Sequence, residues 1–536
     1  MYDTTLRDGT QSESVAFSVE DKLRVARKLD ELGIDYVEGG WPGSNDKDAE
    51  FFRRASSIPW QHTRLAAFGS TAHPKNLLEE DPNLKSLLEA GTPVVTIFGK
   101  SWDFHVTTAL KVPLSRNLEI IRATMSCLKG AGREVIYDAE HFFDGFAANP
   151  EYALATLRAA EEGGADMLVL CDTNGGSMTR QIEGCIRAVQ AQTRLPLGIH
   201  AHNDCELAVA NSLAAVACGA VQVQGTFNGY GERCGNANLC AVIPNLELKA
   251  GYTTIGRDRL PLLTGVSRFI SQVANLPHRN EMAFVGASAF AHKGGVHVSA
   301  VLKDAATYEH INPGMVGNTR RVLVSELSGK SNLQYKAHEM GMDLAGQDEK
   351  LKVALSRIKK LEHEGWEFEA AEASVRVLME TAVHGELEFF TIDNFRVVTD
   401  MRGNGEITSE ATVKIHVGDT VIHTAAEGVG PVHALDRALH KALQEYFEPL
   451  RSVELTDYKV RVLDASHGTS AKVRVHIQQS DGEESWTTVG VSENILEASY
   501  RALADGVRYK LLKSRVPLRD VPENLAARTQ RVGSLL

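Results

Sequence analysis

The chain has 536 residues and a formal net charge of −12, and it contains no run of 18 apolar residues. This length allows two or three domains. The negative charge argues against nucleic acid or an anionic membrane surface as the main partner. The lack of a long apolar run argues against a membrane-spanning helix. An anionic substrate would therefore need a local positive charge, which a metal ion supplies.

The amino-terminal segment does not have the basic and then apolar pattern of a signal peptide. All seven cysteines lie between Cys127 and Cys240, and no two of them are spaced as Cys-x-x-Cys. This distribution is typical of reduced thiols in a cytoplasmic enzyme, and it does not favour a disulfide framework or a zinc ribbon. We therefore expect a cytoplasmic protein.

Residues 1–255 alternate short β-rich runs with amphipathic helical stretches, at a period of about 30 residues. One such stretch, Val19–Leu32, begins with a capping-box pattern at Ser18 and Asp21 and ends at Gly33. The β-rich runs are Met1–Asp3, Tyr36–Glu38, Arg64–Phe68, Val94–Phe98, Glu134–Ala139, Met167–Cys171, Leu197–His200 and Gln222–Thr226. This alternation predicts an α/β fold, a (β/α)8 TIM barrel rather than an open doubly wound sheet.

The next region, residues 256–380, is irregular and glycine-rich at first and then becomes helical. It predicts linker and lid subdomains that follow the catalytic barrel. At the other end of the chain, residues 516–536 are predicted to form a polar, loosely ordered tail.

An internal repeat occupies residues 385–515. The run Phe395–Asp400 is echoed by Tyr458–Asp464, and Arg437-Ala438-Leu439 is echoed by Arg501-Ala502-Leu503, 64 positions further on. Each copy predicts three strands followed by one helix. Two copies predict an α+β pseudo-repeat domain that is separate from the barrel.

Metal-ligand residue types follow three of the predicted barrel strands. Asp8 follows strand one, His200 and His202 end strand seven, and Asn236 follows strand eight. Two imidazoles placed two residues apart on a strand point to the same side. Strands one, seven and eight are neighbours in a closed barrel, and the carboxyl ends of its strands form the active-site face. These four residues therefore predict a divalent cation site, which could hold magnesium, manganese, cobalt or zinc.

Three motifs carry a resemblance to a known family. They are Asp3-Thr4-Thr5-Leu6-Arg7-Asp8-Gly9, His200-Ala201-His202-Asn203-Asp204 and Gly231-Glu232-Arg233-Cys234-Gly235-Asn236. The chain resembles the metal-dependent barrel enzymes that include 2-isopropylmalate, homocitrate and citramalate synthases and 3-hydroxy-3-methylglutaryl-CoA lyase. The repeat is similar to the amino-acid-sensing regulatory and dimerisation domain of the synthases. The lyases lack that domain, which favours a synthase.

Within this family, the segments Lys100–Val106, Tyr137–Gly145 and His292–His297 resemble the citramalate synthase branch. The resemblance implies condensation of acetyl-CoA with pyruvate, in the pathway to isoleucine, under feedback control by a branched-chain amino acid. A 2-isopropylmalate synthase, a homocitrate synthase and, less favoured, an acyl-CoA lyase are the alternative activities. A non-catalytic amino-acid sensor is a further alternative, against which the intact metal-ligand set argues.

The resemblance also implies roles for residues of the barrel. Arg7 would stabilise negative charge on the ketone oxygen of the 2-oxo acid, and Thr173 would bind its carboxylate. Glu140 matches an acidic residue near the acetyl group. Each has a purely structural alternative: Arg7 could pair with Asp8, Thr173 could cap the next helix, and Glu140 could pair with a neighbouring arginine or histidine.

Two further family positions lie outside the barrel. His297 and Tyr308 match residues that assist proton abstraction and bind near the thioester, and in relatives they reach the active site of the other subunit of a homodimer. Their glycine-rich surroundings fit a lid. The chain departs from the family pattern at Ser299, where isopropylmalate synthases commonly have an acidic residue, so this proton relay is an open question.

Overall fold

The computed structural model describes residues 1–342, 347–401, 403, 405–464 and 470–517. The chain divides into two compact units, one of Met1–Phe290 with Ile311–Arg320 and one of Ala291–His310 with Arg321–Leu536. The predicted tail, 516–536, lies outside the described residues from 518 onward. None of the helices in the described ranges is long and apolar enough to span a membrane.

The first unit contains a closed barrel of eight parallel strands in sequential order, which confirms the predicted TIM barrel. Strand β1 pairs with both β2 and β8 and so closes the ring. The strands are β1 Tyr2–Asp3, β2 Tyr36–Gly40, β3 Arg64–Ser70, β4 Val94–Lys100, β5 Glu134–Glu140, β6 Met167–Asp172, β7 Leu197–Ala201 and β8 Gln222–Gly225.

Helices follow the strands along the chain. The first of them confirms the prediction: it has the Ser18–Asp21 capping box, and Gly33 ends it in the left-handed conformation at φ 89°. The helices of this unit are α1 Val19–Leu32, α2 Asp46–Ala55, α3 Pro82–Glu89, α4 Asp103–His105, α5 Leu114–Gly130, α6 Phe142–Ala148, α7 Pro150–Glu162, α8 Thr179–Gln190, α9 Ala208–Ala217, α10 Leu239–Pro244 and α11 Leu263–Val273.

Successive side chains of a barrel strand point alternately out of the barrel and into it, so they lie in two different surroundings. In β5, Val135, Tyr137 and Ala139 belong to the large apolar core, whereas Ile136 belongs to a separate small cluster inside the barrel. The members of that inner cluster are Tyr2, Ala66, Val94, Ile136, Val169 and Cys171. The next inward position on β5 is Asp138, which is buried. An apolar layer therefore underlies a polar layer nearer the carboxyl ends of the strands.

The second unit begins with short elements and becomes helical before the repeat. Strands β9 Ala291–His292 and β10 Arg321–Val322 form a two-stranded parallel sheet. The described residues of this part include the helices α12 Gly295–Lys303, α13 Lys330–Glu339, α14 Asp348–His363 and α15 Glu372–His384. The last three pack around a common apolar cluster that contains Leu333, Leu351 and Val375.

The predicted pseudo-repeat is confirmed, because each copy consists of a three-stranded antiparallel sheet followed by a helix. Residues of both copies share one apolar core. The first copy contains β11 Thr391–Met401, β12 Ile407–Val417, β13 Thr420–Gly428 and α16 Pro431–Leu443. The second contains β14 Glu454–Val462, β15 Val473–Ser480, β16 Ser485–Ser492 and α17 Ile495–Lys513.

Two local features recur in both copies at equivalent places. The first strand of each sheet is bulged, between Ile392 and Asn394 in one copy and between Leu455 and Asp457 in the other. The helix arginine noted in the sequence repeat donates to a strand carbonyl ten positions earlier in each copy. These bonds join Arg437 to Glu427 at 2.9 Å and Arg501 to Val491 at 2.8 Å. The two copies therefore resemble each other in these hydrogen bonds as well as in sequence.

Candidate active site

Four of the predicted side chains converge at the carboxyl ends of β7, β8 and β1. His200 Nε2 lies 3.1 Å from Asp8 Oδ2 and 3.3 Å from His202 Nε2. Asn236 Nδ2 lies 2.8 Å from the same Asp8 oxygen and 3.1 Å from His200 Nε2. His202 Nε2 is 4.0 Å from Asp8 Oδ2. All four residues are buried, so they form one compact polar cluster.

Local backbone structure explains this convergence. His202 and Asn236 face each other across an antiparallel bridge, because the loop after β8 returns along the end of β7. Hydrogen bonds from Asn203 N to Gly235 O at 2.8 Å and from Ala237 N to Ala201 O at 3.0 Å hold the two segments together. The loop after β8 therefore places the amide of Asn236 beside the two imidazoles.

The charges in this cluster are tightly coupled. Burial alone would raise the pKa of Asp8, but the positive charge of Arg7 and the hydrogen bond from His200 outweigh it and hold that pKa below its usual value. Burial lowers the pKa of His200, but the hydrogen bond and charge of Asp8 raise it by more, so the net shift is upward. Burial and the neighbouring His200 together lower the pKa of His202 to about 4.

The donor set fits a divalent metal ion. One carboxylate oxygen of Asp8 and one nitrogen each from His200 and His202 lie within 4.8 Å of one another, and carboxylate and imidazole are common ligands of such ions. The side-chain oxygen of Asn236 is buried and has no hydrogen-bond partner among the described residues. Half a turn of its terminal amide would exchange oxygen and nitrogen and present the oxygen to the cluster.

Arg7 lies next to this cluster. Its Nη1 is 3.4 Å from Asp8 Oδ1, and its Nε donates to Glu38 Oε1 at 2.5 Å. The guanidinium also stacks over the ring of Phe68, with 3.7 Å between its carbon and the ring centre. Glu38 in turn accepts a hydrogen bond from Tyr2 at 2.7 Å. Glu38 and Phe68 thus fix the guanidinium of Arg7 on two sides, and its terminal N–H groups lie beside the cluster.

Thr173 follows the end of β6, on the same face of the barrel. Its hydroxyl oxygen accepts a hydrogen bond from the backbone N–H of His141 at 2.9 Å, so the hydroxyl hydrogen can still be donated to a ligand. Arg233 donates to the carbonyl of Thr173 at 2.8 Å and makes two bonds to Asp204, at 2.8 and 3.0 Å. This arginine joins the loops that follow β6, β7 and β8.

Glu140 forms an ion pair with Lys100 at the ends of β5 and β4. The two residues are direct partners in the register of these strands. The structural alternative for Glu140 named an arginine or a histidine as the partner, whereas the observed partner is a lysine. A role near the acetyl group remains a prediction.

His297 and Tyr308 belong to the second unit. His297 lies on α12, and the two rings stack with their centres 4.3 Å apart. Both side chains are exposed. Their predicted action on the thioester therefore remains a prediction.

An aromatic wall, formed by Trp41, Phe68 and Phe98, stands beside Arg7. The rings of Phe68 and Phe98 are stacked with 5.3 Å between centres. Trp41 meets them edge-on at 6.0 and 5.6 Å. Lys100 lies 5.6 Å from the Phe98 ring centre, and its charge is matched by Glu140.

Several polar residues around the cluster were not identified from the sequence. Glu38 is the one acidic residue of β2, Asp138 lies on β5 between two apolar neighbours, and Gln224 is an inward residue of β8. Arg233 lies inside a quoted motif, which was the available signal for it. Glu38 and Asp138 could have been noticed as acidic residues at positions where the alternation of side chains along a strand points them into the barrel.

Comparison with known protein families matches the chain in three consecutive parts. The model of the HMGL-like family matches residues 1–263, and that of the homocitrate synthase post-HMGL domain-like family matches residues 284–365. The model of the LeuA allosteric (dimerisation) domain matches residues 369–511.

Individual relatives match over nearly the whole length. The (R)-citramalate synthase of Aquifex aeolicus is 53% identical over 96% of this chain and 98% of its own length. That of Geobacter sulfurreducens is 54% identical with the same coverages. A probable 2-isopropylmalate synthase of Methanopyrus kandleri is 31% identical over 95% of this chain and 97% of its own length.

The raised pKa of His200 leads to a prediction about protons and metal. An imidazole must be neutral to bind a metal ion, so Mn²⁺ has to displace the proton that Asp8 stabilises on His200. We expect the affinity for Mn²⁺ to rise with pH from 6 to 8. Near neutral pH, binding should release up to about one proton. Titration calorimetry in buffers of different ionisation enthalpy measures both quantities.

The matched variant is His200→Asn, which should bind Mn²⁺ weakly and lose most of the released proton. His202, with a pKa of about 4, is already neutral in this range and should contribute none. An affinity that does not change between pH 6 and pH 8, without proton release, would contradict this assignment.

Proposed function

The chain belongs to the (R)-citramalate synthase family, and we propose that it condenses acetyl-CoA with pyruvate and that water then hydrolyses the resulting thioester, which gives (R)-citramalate and CoA. The observation that carries the proposal is full-length identity of 53–54% to two synthases of that name, together with the Asp8, His200 and His202 cluster. The cluster occupies the face of the barrel on which active sites are built.

In this proposal Asp8, His200, His202 and Asn236 hold a divalent cation. A cation bound there would polarise the 2-oxo acid carbonyl as a Lewis acid. Arg7 stabilises the negative charge that develops on the ketone oxygen when the new carbon–carbon bond forms. The support for this role is its position, 3.4 Å from Asp8 and fixed by Glu38.

Thr173 donates its hydroxyl hydrogen to the substrate carboxylate. Its oxygen is already engaged by the N–H of His141, which orients the hydroxyl hydrogen away from the backbone. Arg233 fixes the backbone of the same residue. The carboxylate would thus meet a preoriented donor.

The acetyl-CoA side of the reaction rests on family resemblance. A base must remove a weakly acidic proton from the acetyl group, and we assign this proton transfer to His297 assisted by Tyr308, with Glu140 near the acetyl group. The 4.3 Å stacking of the His297 and Tyr308 rings keeps these two groups together. Ser299 stands where isopropylmalate synthases commonly have an acidic residue, so His297 does not have that acidic side chain two positions after it.

The aromatic wall beside Arg7 supports a 2-oxo acid with an apolar side chain. A homocitrate synthase would need a cation for the second carboxylate of 2-oxoglutarate. Of the two cations that contact this wall among the described residues, Arg7 is paired with Asp8 and Glu38, and Lys100 is paired with Glu140. The wall does not distinguish a methyl from an isopropyl group, so the choice of pyruvate rests on the relatives.

We also propose that the second unit makes the enzyme a regulated homodimer. The match of residues 369–511 to the LeuA allosteric (dimerisation) domain supports this proposal, as does the pseudo-repeat. A branched-chain amino acid, isoleucine first, is the proposed inhibitor. The predicted sharing of His297 and Tyr308 between subunits belongs to the same proposal.

A substrate panel tests the activity. Release of CoA thiol is measured with acetyl-CoA, Mn²⁺ and either pyruvate, 2-oxoisovalerate or 2-oxoglutarate. We expect kcat/KM for pyruvate to exceed the others by at least about tenfold, because each extra methyl group in a fitted pocket changes binding by about that factor. Equal or better use of 2-oxoisovalerate would instead indicate an isopropylmalate synthase.

Arg7 is tested with a charge-preserving variant. Arg7→Lys keeps a positive charge near the buried Glu38 but loses the planar set of donors, so we expect a normal melting temperature. The rate should fall by about 10²–10³-fold, as for loss of one oxyanion donor. Arg24→Ala, on the solvent side of α1, serves as the control. A rate within threefold of wild type would make Arg7 structural.

Regulation is tested on the intact chain and on a chain that ends before Thr391, where the first repeat copy begins. We expect isoleucine to inhibit thiol release by the intact protein and to leave the shortened enzyme unaffected. Mass photometry would report whether the shortened chain also loses the dimer. Unchanged rates of the intact protein with isoleucine, leucine and valine would refute the effector proposal.

A further inference from the structure

Two buried side chains lie behind His200, on the side away from the other proposed metal ligands. Gln224 Oε1 is 2.8 Å from His200 Nδ1, and Gln224 Nε2 donates to Asp138 Oδ1 at 3.0 Å. Gln224 is fully buried, and Asp138 and His200 are 3% and 4% exposed. Asp138 lies on β5 and Gln224 on β8, so the chain of contacts crosses the interior of the barrel.

The chemistry of these groups sets the direction of every hydrogen bond. An ionised carboxylate only accepts, so the Gln224 amide must turn its nitrogen toward Asp138. The amide oxygen then faces His200 and can only accept. His200 must therefore carry a hydrogen on Nδ1, which leaves the lone pair of a neutral imidazole on Nε2, the atom that faces Asp8.

We propose that Asp138 and Gln224 are positioning residues that hold His200 in the tautomer whose Nε2 can bind the divalent cation. The inference rests on the proposed metal site and deepens it by naming what prepares one of its ligands. A carboxylate or carbonyl behind a metal-binding histidine is a general means of setting its orientation and basicity. Here an amide transmits the effect of the carboxylate.

A neutral His200 has one ring hydrogen, and two acceptors, Asp8 and Gln224, compete for it. This competition explains why His200 needs the Gln224 and Asp138 pair behind it. Asp8 Oδ2, 3.1 Å from Nε2, is a charged acceptor and favours the tautomer with its hydrogen on Nε2, which leaves that atom no lone pair for a metal. Gln224 offers the opposing acceptor at Nδ1. Without it, a buried N–H at Nδ1 would lack a partner, and unpartnered buried donors are unfavourable.

His202 provides an internal contrast. Its Nδ1 is buried and has no hydrogen-bond partner in the described ranges of the chain. Its Nε2 is also further from Asp8, at 4.0 Å, so the competition is weaker. The two imidazoles thus differ in how firmly their tautomers are set, and only His200 depends on Gln224.

The test uses full-length protein and Mn²⁺ alone, at pH 8. Burial raises the pKa of Asp138 to about 7, so its carboxylate is mostly ionised under these conditions. Gln224→Met removes the acceptor at nearly constant volume. We expect calorimetry to show Mn²⁺ affinity about 10–100-fold below that of wild type, the usual effect of losing such a partner.

Gln222→Met is the matched control. Gln222 lies two positions earlier on the same strand and is also buried. Its side-chain oxygen accepts a 3.4 Å hydrogen bond from Gln224, whereas the hydrogen bond of His200 Nδ1 is accepted by Gln224. We expect this variant to bind Mn²⁺ within about threefold of wild type. An equal loss in both variants would overturn the proposal, because it would indicate general disruption of the barrel interior.

A second variant keeps the test decisive if Gln224→Met does not fold. The double variant Asp138→Asn/Gln224→Glu exchanges the amide and the carboxylate while keeping an acceptor at His200 Nδ1. We expect its Mn²⁺ affinity to lie within about threefold of wild type. Loss of binding by this folded double variant would overturn the proposal.

Nuclear magnetic resonance of protein labelled with ¹⁵N-histidine reads the tautomer directly, in the Mg²⁺ form. In wild type, the His200 signal should show a protonated Nδ1, and Gln224→Met should lose this preference. A mixture of tautomers in wild type would overturn the proposal.

If wild type and His200→Ala both fail to bind Mn²⁺, the metal site of the proposed function fails, and this inference falls with it. Wild-type binding with an unaffected Gln224→Met variant rejects the inference alone.

Discussion

A closed barrel encloses its inward side chains, so the charges placed there have to compensate one another. Three carboxylates, Asp8, Glu38 and Asp138, occupy this interior. Arg7 contacts the first two, and Gln224 connects the third to His200. A buried charge that loses its partner destabilises a protein by several kcal/mol, about 3–5 kcal/mol in measured cases. Substitution of one of these groups therefore changes both the proposed site and the stability of the barrel interior, because the other charges lose a partner.

The site depends on loops as well as on strands. His200 lies on β7, but Asp8, His202 and Asn236 follow strand ends, and the bridge between His202 and Asn236 fixes the last of them. Arg233 connects three of these loops through Asp204 and Thr173. The same connection would couple a carboxylate bound at Thr173 to the segment that carries Asn236. In the proposed function, binding of the 2-oxo acid at Thr173 would therefore help to order the segment that carries the proposed ligand Asn236.

The barrel could be predicted because its strands combine apolar runs with a regular spacing. The predicted strands end early at Glu38 and Phe68, whereas β2 and β3 continue to Gly40 and Ser70. The last residues of a barrel strand approach the mouth, where glycine and polar residues replace the apolar pattern. The four proposed metal ligands were predictable because neighbouring strand ends bring them together. Glu38, Asp138 and Gln224 were not, because a polar residue on a strand acquires its role only from side chains that the closed barrel places opposite it.

The apolar layer beneath the polar one has an electrostatic consequence. The layer under the cluster has a low dielectric constant, because it consists of mainly apolar side chains that include Tyr2, Val94, Ile136 and Val169. Coulomb interactions are strong in such surroundings, and a cleft with low-dielectric walls focuses field lines toward its opening. A cation held above this layer would therefore project its potential outward through the mouth of the barrel. An anionic 2-oxo acid could in this way be drawn to one end of a protein whose net charge of −12 would otherwise repel it.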